Sequence, residues 1–142
     1  MDRRDVLVIA SAGQLIAGLV ARRVAVVEGR SFDIAFTGWR GRPERVAHDS
    51  WLIGTGLSTP VIVLAVQAAA TARLLRCPSR AATRTLGLLG ASIGCGYLIE
   101  KEFRTALTPT QFDPGTTPVV TAGFGLAVIM AVAGLKDPQR PS

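Results

Sequence analysis

Glu100 and Arg104 stand four residues apart, carboxylate first, the order that favours an i,i+4 ion pair on a helix. Tyr97 and Gly96 precede them by one turn on nearly the same face. A carboxyl in an apolar pocket has its charged form disfavoured. Glu100 could therefore keep a proton at neutral pH and donate it, with Tyr97 and Arg104 positioning it. A second group, His48-Asp49, lies just before Trp51; histidine titrates near neutrality and a carboxylate can hold its tautomer. With Glu102, the candidate acid/base set is Glu100, Tyr97, Arg104, Asp49, His48 and Glu102. The plainer reading of the same residues is structural. Glu100–Arg104 then anchors a helix end among headgroups, and His48 and Asp49, adjacent on a helix, do not face each other.

Acidic residues are gathered as well. Asp2, Asp5 and Asp137 fall on one side of the predicted spans, whereas Glu28, Asp33, Glu44, Asp49, Glu100, Glu102 and Asp113 fall on the other, with His48, Trp39 and Trp51. That end carries nearly every group able to move protons or bind cations; read structurally, it is a solvated rim of salt bridges. Gln14 and Gln67 fall inside apolar segments, where an amide hydrogen-bonds a neighbouring helix. P-loop, GxGxxG, HExxH and nucleophile-elbow patterns are absent, and a lone histidine excludes a paired-histidine haem site. No cofactor and no metal is expected.

Four stretches must position these residues: 6–21, 51–72, 85–99 and 118–135 are apolar and nearly uncharged, and charge gathers in the gaps. Hydrophobic residues make up 49% of the 142-residue chain and charged ones 18%, below the roughly 25% usual in soluble domains. Fifteen glycines suit helices that approach closely in a membrane. The predicted fold is all-α: a four-transmembrane-helix bundle in a single domain, with spans at about 5–27, 50–74, 81–106 and 117–135 and one long polar loop between helices one and two. The alternative is a soluble all-α protein with unusually apolar helices. A net charge of +6 does not indicate nucleic acid, because no basic surface interleaved with aromatics remains once the spans are removed. Cys77 and Cys95 would lie about 27 Å apart on one helix, too far for a disulfide. Arg3, Arg4 and the run 6–21 resemble a signal peptide, but Arg22-Arg23 follow where a cleavage site would need small residues, so an uncleaved span is expected.

Local signals set the expected boundaries. Helix one should continue through Arg22 and Arg23 to about Glu28. Asp49 or Ser50 should cap helix two, and Pro60 inside it should kink it near Gly56. Pro78 should end it. Gly87, Gly90, Ala91 and Gly94 form a small-residue stripe on helix three that demands close packing without naming the partner. Asp113-Pro114-Gly115 is a turn, after which Thr117 should cap helix four with Pro118 at its first position.

Four spans place the N-terminus, the connection 76–80 and the C-terminus on one side. The arginine-dense short connection marks that side as cytoplasmic, in a plasma membrane. Three functions fit. The favoured one is a non-catalytic subunit, assembly factor or lipid-facing scaffold, with membrane lipid as a neighbour and a second copy or another membrane protein on the Gly87/Gly90/Ala91/Gly94 face. The alternative is a membrane-embedded enzyme of isomerisation, cyclisation or hydrolysis on a lipid-like substrate at the Glu100 end. Third comes a small transporter, disfavoured because the span centres contain no ionisable group.

Overall fold

The computed structural model describes residues 1–28, 33–34, 39–40, 60–99, 113–115 and 117–136. They form four helices: α1 (Arg3–Glu28), α2 (Val61–Arg76), α3 (Arg80–Ile99) and α4 (Thr117–Leu135). A two-residue antiparallel pairing, β1 (Asp33–Ile34) with β2 (Trp39–Arg40), lies in the α1–α2 connection. Apart from that pairing, the regular structure of the described residues is all helical. Among the described residues, two helical segments, Arg3–Val24 and Thr117–Leu135, are long and apolar enough to cross a membrane.

The helix ends follow from local chemistry. Asp5 accepts the Asp2 N–H at 3.3 Å, and its charge suits the positive end of α1. α1 runs on through Arg22 and Arg23 to Glu28, as the residues predict. Pro60 corrects an expectation: it does not lie within a helix but stands at the N-cap of α2, with ψ 141°. Its missing N–H costs nothing there, and its carbonyl accepts from Val63 at 3.0 Å and Leu64 at 3.2 Å. The expected kink at Gly56 and the expected caps Asp49 and Ser50 lie outside the described residues. Cys77, forced extended by Pro78, ends α2 (φ −153°, ψ 151°), and Ser79 accepts the Ala82 N–H to start α3. Before α4, Asp113 accepts the Gly115 N–H at 2.9 Å, closing the Asp-Pro-Gly turn. The Thr117 hydroxyl accepts backwards from the Asp113 N–H at 3.1 Å rather than capping α4 ahead of it, because the turn brings that donor round first.

Antiparallel neighbours complete an up-down-up-down bundle in which α1 and α3 each pack between α2 and α4. The N-terminal residues of α1 reach the C-terminal carbonyls of α2 and α4, and the N-terminal half of α3 meets the C-terminal half of α4. Two clusters fill the interior. Leu7, Leu74, Leu86 and Met130 lie toward the end holding the α2–α3 connection, and Ala21, Ile93, Tyr97 and Val120 toward the other.

The glycine stripe of α3 meets α4. A Cβ built on Gly90 would stand 2.6 Å from Ala127 O and Ala131 N, and one on Gly134 would run into the backbone of Gly87. Only hydrogen fits at these positions. Gly94 differs: a Cβ there would meet nothing within 4 Å. Gly90→Ala should therefore force α3 and α4 apart at a cost of about 1–3 kcal/mol. Gly125→Ala, where a Cβ meets nothing within 4 Å, should be neutral or stabilising by up to about 1 kcal/mol. Thermal unfolding of the two variants in one detergent checks this ordering.

Candidate functional site

Three places in the described residues hold polar groups that could act. The first is inside the bundle. Ser11 and Gln14 lie one turn apart on α1, and Gln67 and Thr71 one turn apart on α2, so both pairs face the same interior. Thr71 donates to the Gln67 carbonyl at 2.8 Å, which commits its only proton. Ser11 must then donate to Thr71 across their 2.7 Å contact, and Ser11 in turn accepts from Gln67 Nε2 at 3.1 Å. The ring closes on itself, each hydroxyl giving one hydrogen bond and receiving one. Gln67 Nε2 also donates to Ser11 O at 3.1 Å and lies 3.7 Å from Met130 Sδ, tying α2 to both α1 and α4. Gln14 is equally buried, yet its Oε1 and Nε2 have no hydrogen-bond partner. Gln67 Oε1 is likewise without a hydrogen-bond partner, so the two interior amides differ at the nitrogen, bonded in Gln67 and unbonded in Gln14.

The second place is the Tyr97 end. Tyr97 is buried, with its ring edge-on to Phe124 at 6.1 Å and 88° and its hydroxyl over Gly123. A Cβ on Gly123 would lie 2.8 Å from that hydroxyl, so the glycine makes the room the phenol occupies. Tyr97 thus packs inward with Ala21, Ile93 and Val120. The residues proposed to work with it, Glu100, Arg104, Glu102, His48 and Asp49, lie outside the described residues.

The third place, at the opposite end, is where residue spacing gave least warning. Arg3 donates from Nε to Ala133 O and from Nη2 to Gly134 O at 3.3 Å. Arg4 donates to Leu74 O at 2.7 Å and Leu75 O at 2.9 Å. Each guanidinium thus satisfies the last carbonyls of a neighbouring helix and offsets the negative end of its dipole. The signal in the sequence was an arginine pair at the start of a helix, which local rules place at the wrong end for its own dipole. Beside them opens a basin of about 1270 Å³ between the start of α1, the α2–α3 connection and the end of α4. Arg80, Arg84 and Lys136 line it, against a single acid among the described residues, Asp2.

Family models, curated proteins and solved structures were compared with the chain, and none matches.

The contrast between the interior amides is measurable. Gln67→Met removes the donor that links three helices and should destabilise the bundle by roughly 1–3 kcal/mol. Gln14→Met replaces a buried, unpaired amide with an apolar group of similar length, so stability should hold or rise. Unfolding of both variants under one condition tests the pair; a loss above about 1 kcal/mol for Gln14→Met would contradict the unpaired state.

Proposed function

We propose that this chain is a small membrane protein of four spans that acts without catalysis, as a subunit, assembly factor or lipid-facing scaffold. The supporting observation is the apolar outer surface of the bundle, together with hydrogen-bonding residues inside it. Ile16 is 64% exposed, Leu88 59% and Val132 62%, while Ser11, Gln14, Gln67 and Thr71 are buried. A bundle made for water turns its apolar stripe inward and its polar face outward. One made for lipid keeps aliphatic side chains on its outside as well as its inside, and polar residues between its helices act as hydrogen-bonding glue beside the buried Leu7, Leu74 and Leu86.

The count of four spans rests on the packing. α1 and α4 have the length and composition to cross, and α2 and α3 lie antiparallel beside them, so insertion of the first two carries the others into the same layer. The short connection 77–79 is flanked by Arg73, Arg76, Arg80 and Arg84, which favours its placement, and that of both termini, on the cytoplasmic face of a plasma membrane. A partner helix or a second copy would use the outer surface. α4 already occupies Gly87 and Gly90, so such a contact would not use those two glycines.

Two experiments test this. Purification in mild detergents should yield an oligomer or a stoichiometric complex with another membrane protein; a partnerless monomer under several such conditions would count against the scaffold. Cysteine labelling tests the membrane itself. Cys77 and Cys95 are both exposed on the bundle, so lipid alone could shield Cys95. An impermeant maleimide should spare Cys77 in intact cells, label it once the membrane is opened, and leave Cys95 unlabelled in both. Prompt labelling of both in detergent-free protein would sink the membrane reading.

A further inference from the structure

The basin at the α2–α3 end has a charge the fold itself does not use. Arg3 and Arg4 are committed to helix carbonyls. Among the described residues, Arg80, Arg84 and Lys136 have no side-chain hydrogen bond or ion pair, and Asp2 is the only acid on the basin wall. The positive end of the α3 dipole, at Ser79 and Arg80, opens onto the same space. Three free cations and a helix N-terminus around one basin are a receptor for a concentrated anion, and phosphate oxygens are the acceptors a guanidinium fork fits best.

The order of residues along α3 says what else the anion carries. Arg80, Arg84 and Leu88 are spaced i, i+4 and i+8, so they descend one face of the helix as cation, cation, aliphatic. All three line the basin, and Leu88 is left well exposed. Just past the end of α4, Lys136 likewise follows the exposed Leu135. A free phosphate would use the cations and ignore the leucines. A molecule with a phosphate at one end and a hydrocarbon chain below it would use both.

We propose that this basin is a binding site for an anionic phospholipid, with the headgroup phosphate held by Arg80, Arg84 and Lys136 and an acyl chain lying along Leu88. The phosphate site follows from the basin alone; the lipid as its source rests on the membrane reading above.

The test uses the full chain, purified in a non-ionic detergent and examined by native mass spectrometry with added phosphatidylglycerol, phosphatidylcholine of the same acyl chains, or orthophosphate. The protein should retain phosphatidylglycerol in preference to phosphatidylcholine. The variant Arg80→Ala/Arg84→Ala/Lys136→Ala should weaken phosphatidylglycerol binding by roughly a hundredfold, taking about a fivefold factor per basic residue at a lipid surface. Arg80→Lys/Arg84→Lys should keep most of the binding, and Arg76→Ala, whose side chain lies off the basin, should keep all of it. Leu88→Gln should weaken the lipid and leave orthophosphate unaffected. Equal retention of the two lipids, or equal binding by the wild type and the triple variant at unchanged helical circular dichroism, overturns the proposal. Orthophosphate binding that depends on the three cations without any preference for phosphatidylglycerol overturns the lipid as occupant. Failure of the membrane reading shows separately, as release of the protein from cell membranes by alkaline carbonate before any lipid is added.

Discussion

α3 and α4 meet backbone to backbone at Gly87, Gly90 and Gly134, and the rest of the bundle is arranged around that crossing. Where two helices touch without side chains between them, their separation and register are set by main-chain atoms, which cannot change rotamer. The register places Ala127 and Met130 at the centre, fully buried, and the Met130 sulfur then faces Gln67 on α2. It also fixes the end of α4, where the Ala133 and Gly134 carbonyls meet Arg3. Close approach, polar core and helix-end capping are consequences of one geometry.

The polar core contributes what the small core residues cannot. Alanine and glycine give dense contact but little that distinguishes one rotation of a helix from another. The ring of Ser11, Thr71 and Gln67 satisfies its hydroxyls only when α1 and α2 are turned to a single orientation. In a low-dielectric interior a mismatched orientation would leave those groups unpaired at a cost of about 1–3 kcal/mol each, so the ring selects the rotation. Gln14 stands outside this selection: its amide is buried by the same packing but answered by nothing.

Charge follows the helix directions. An up-down-up-down bundle brings the N-termini of α1 and α3 and the C-termini of α2 and α4 to one end, so four half-dipoles of alternating sign meet there. Arg3 and Arg4 answer the two negative ends. The positive end of α3, with Arg80 and Arg84 beside it, has no acid from the described residues across from it other than Asp2. That imbalance is what makes this end of the molecule an anion receptor rather than a closed salt-bridge rim.

Much of this was legible in the residues and much was not. Apolar runs, the Asp113-Pro114-Gly115 turn, the break at Pro78 and the demand for close packing along Gly87 and Gly90 depend on local backbone preferences and on the period of a single helix, and each can be read without knowing the neighbours. Pro60 shows the limit even of local rules. Its chemistry is compatible with a kink or a start, and the extended ψ of the folded chain made it a start. Three further facts needed the tertiary structure. Tyr97 turns into the core because Gly123, 26 positions along the chain, leaves space for its hydroxyl. Gln67 Nε2 is bonded because it faces Ser11 across the α1–α2 contact, whereas its own Oε1 and both polar atoms of Gln14 meet no partner. Arg3 caps a helix 130 residues away. Each depends on how one helix is rotated and shifted against another, and that is decided by packing all four together, where residues far apart in the chain first share an environment.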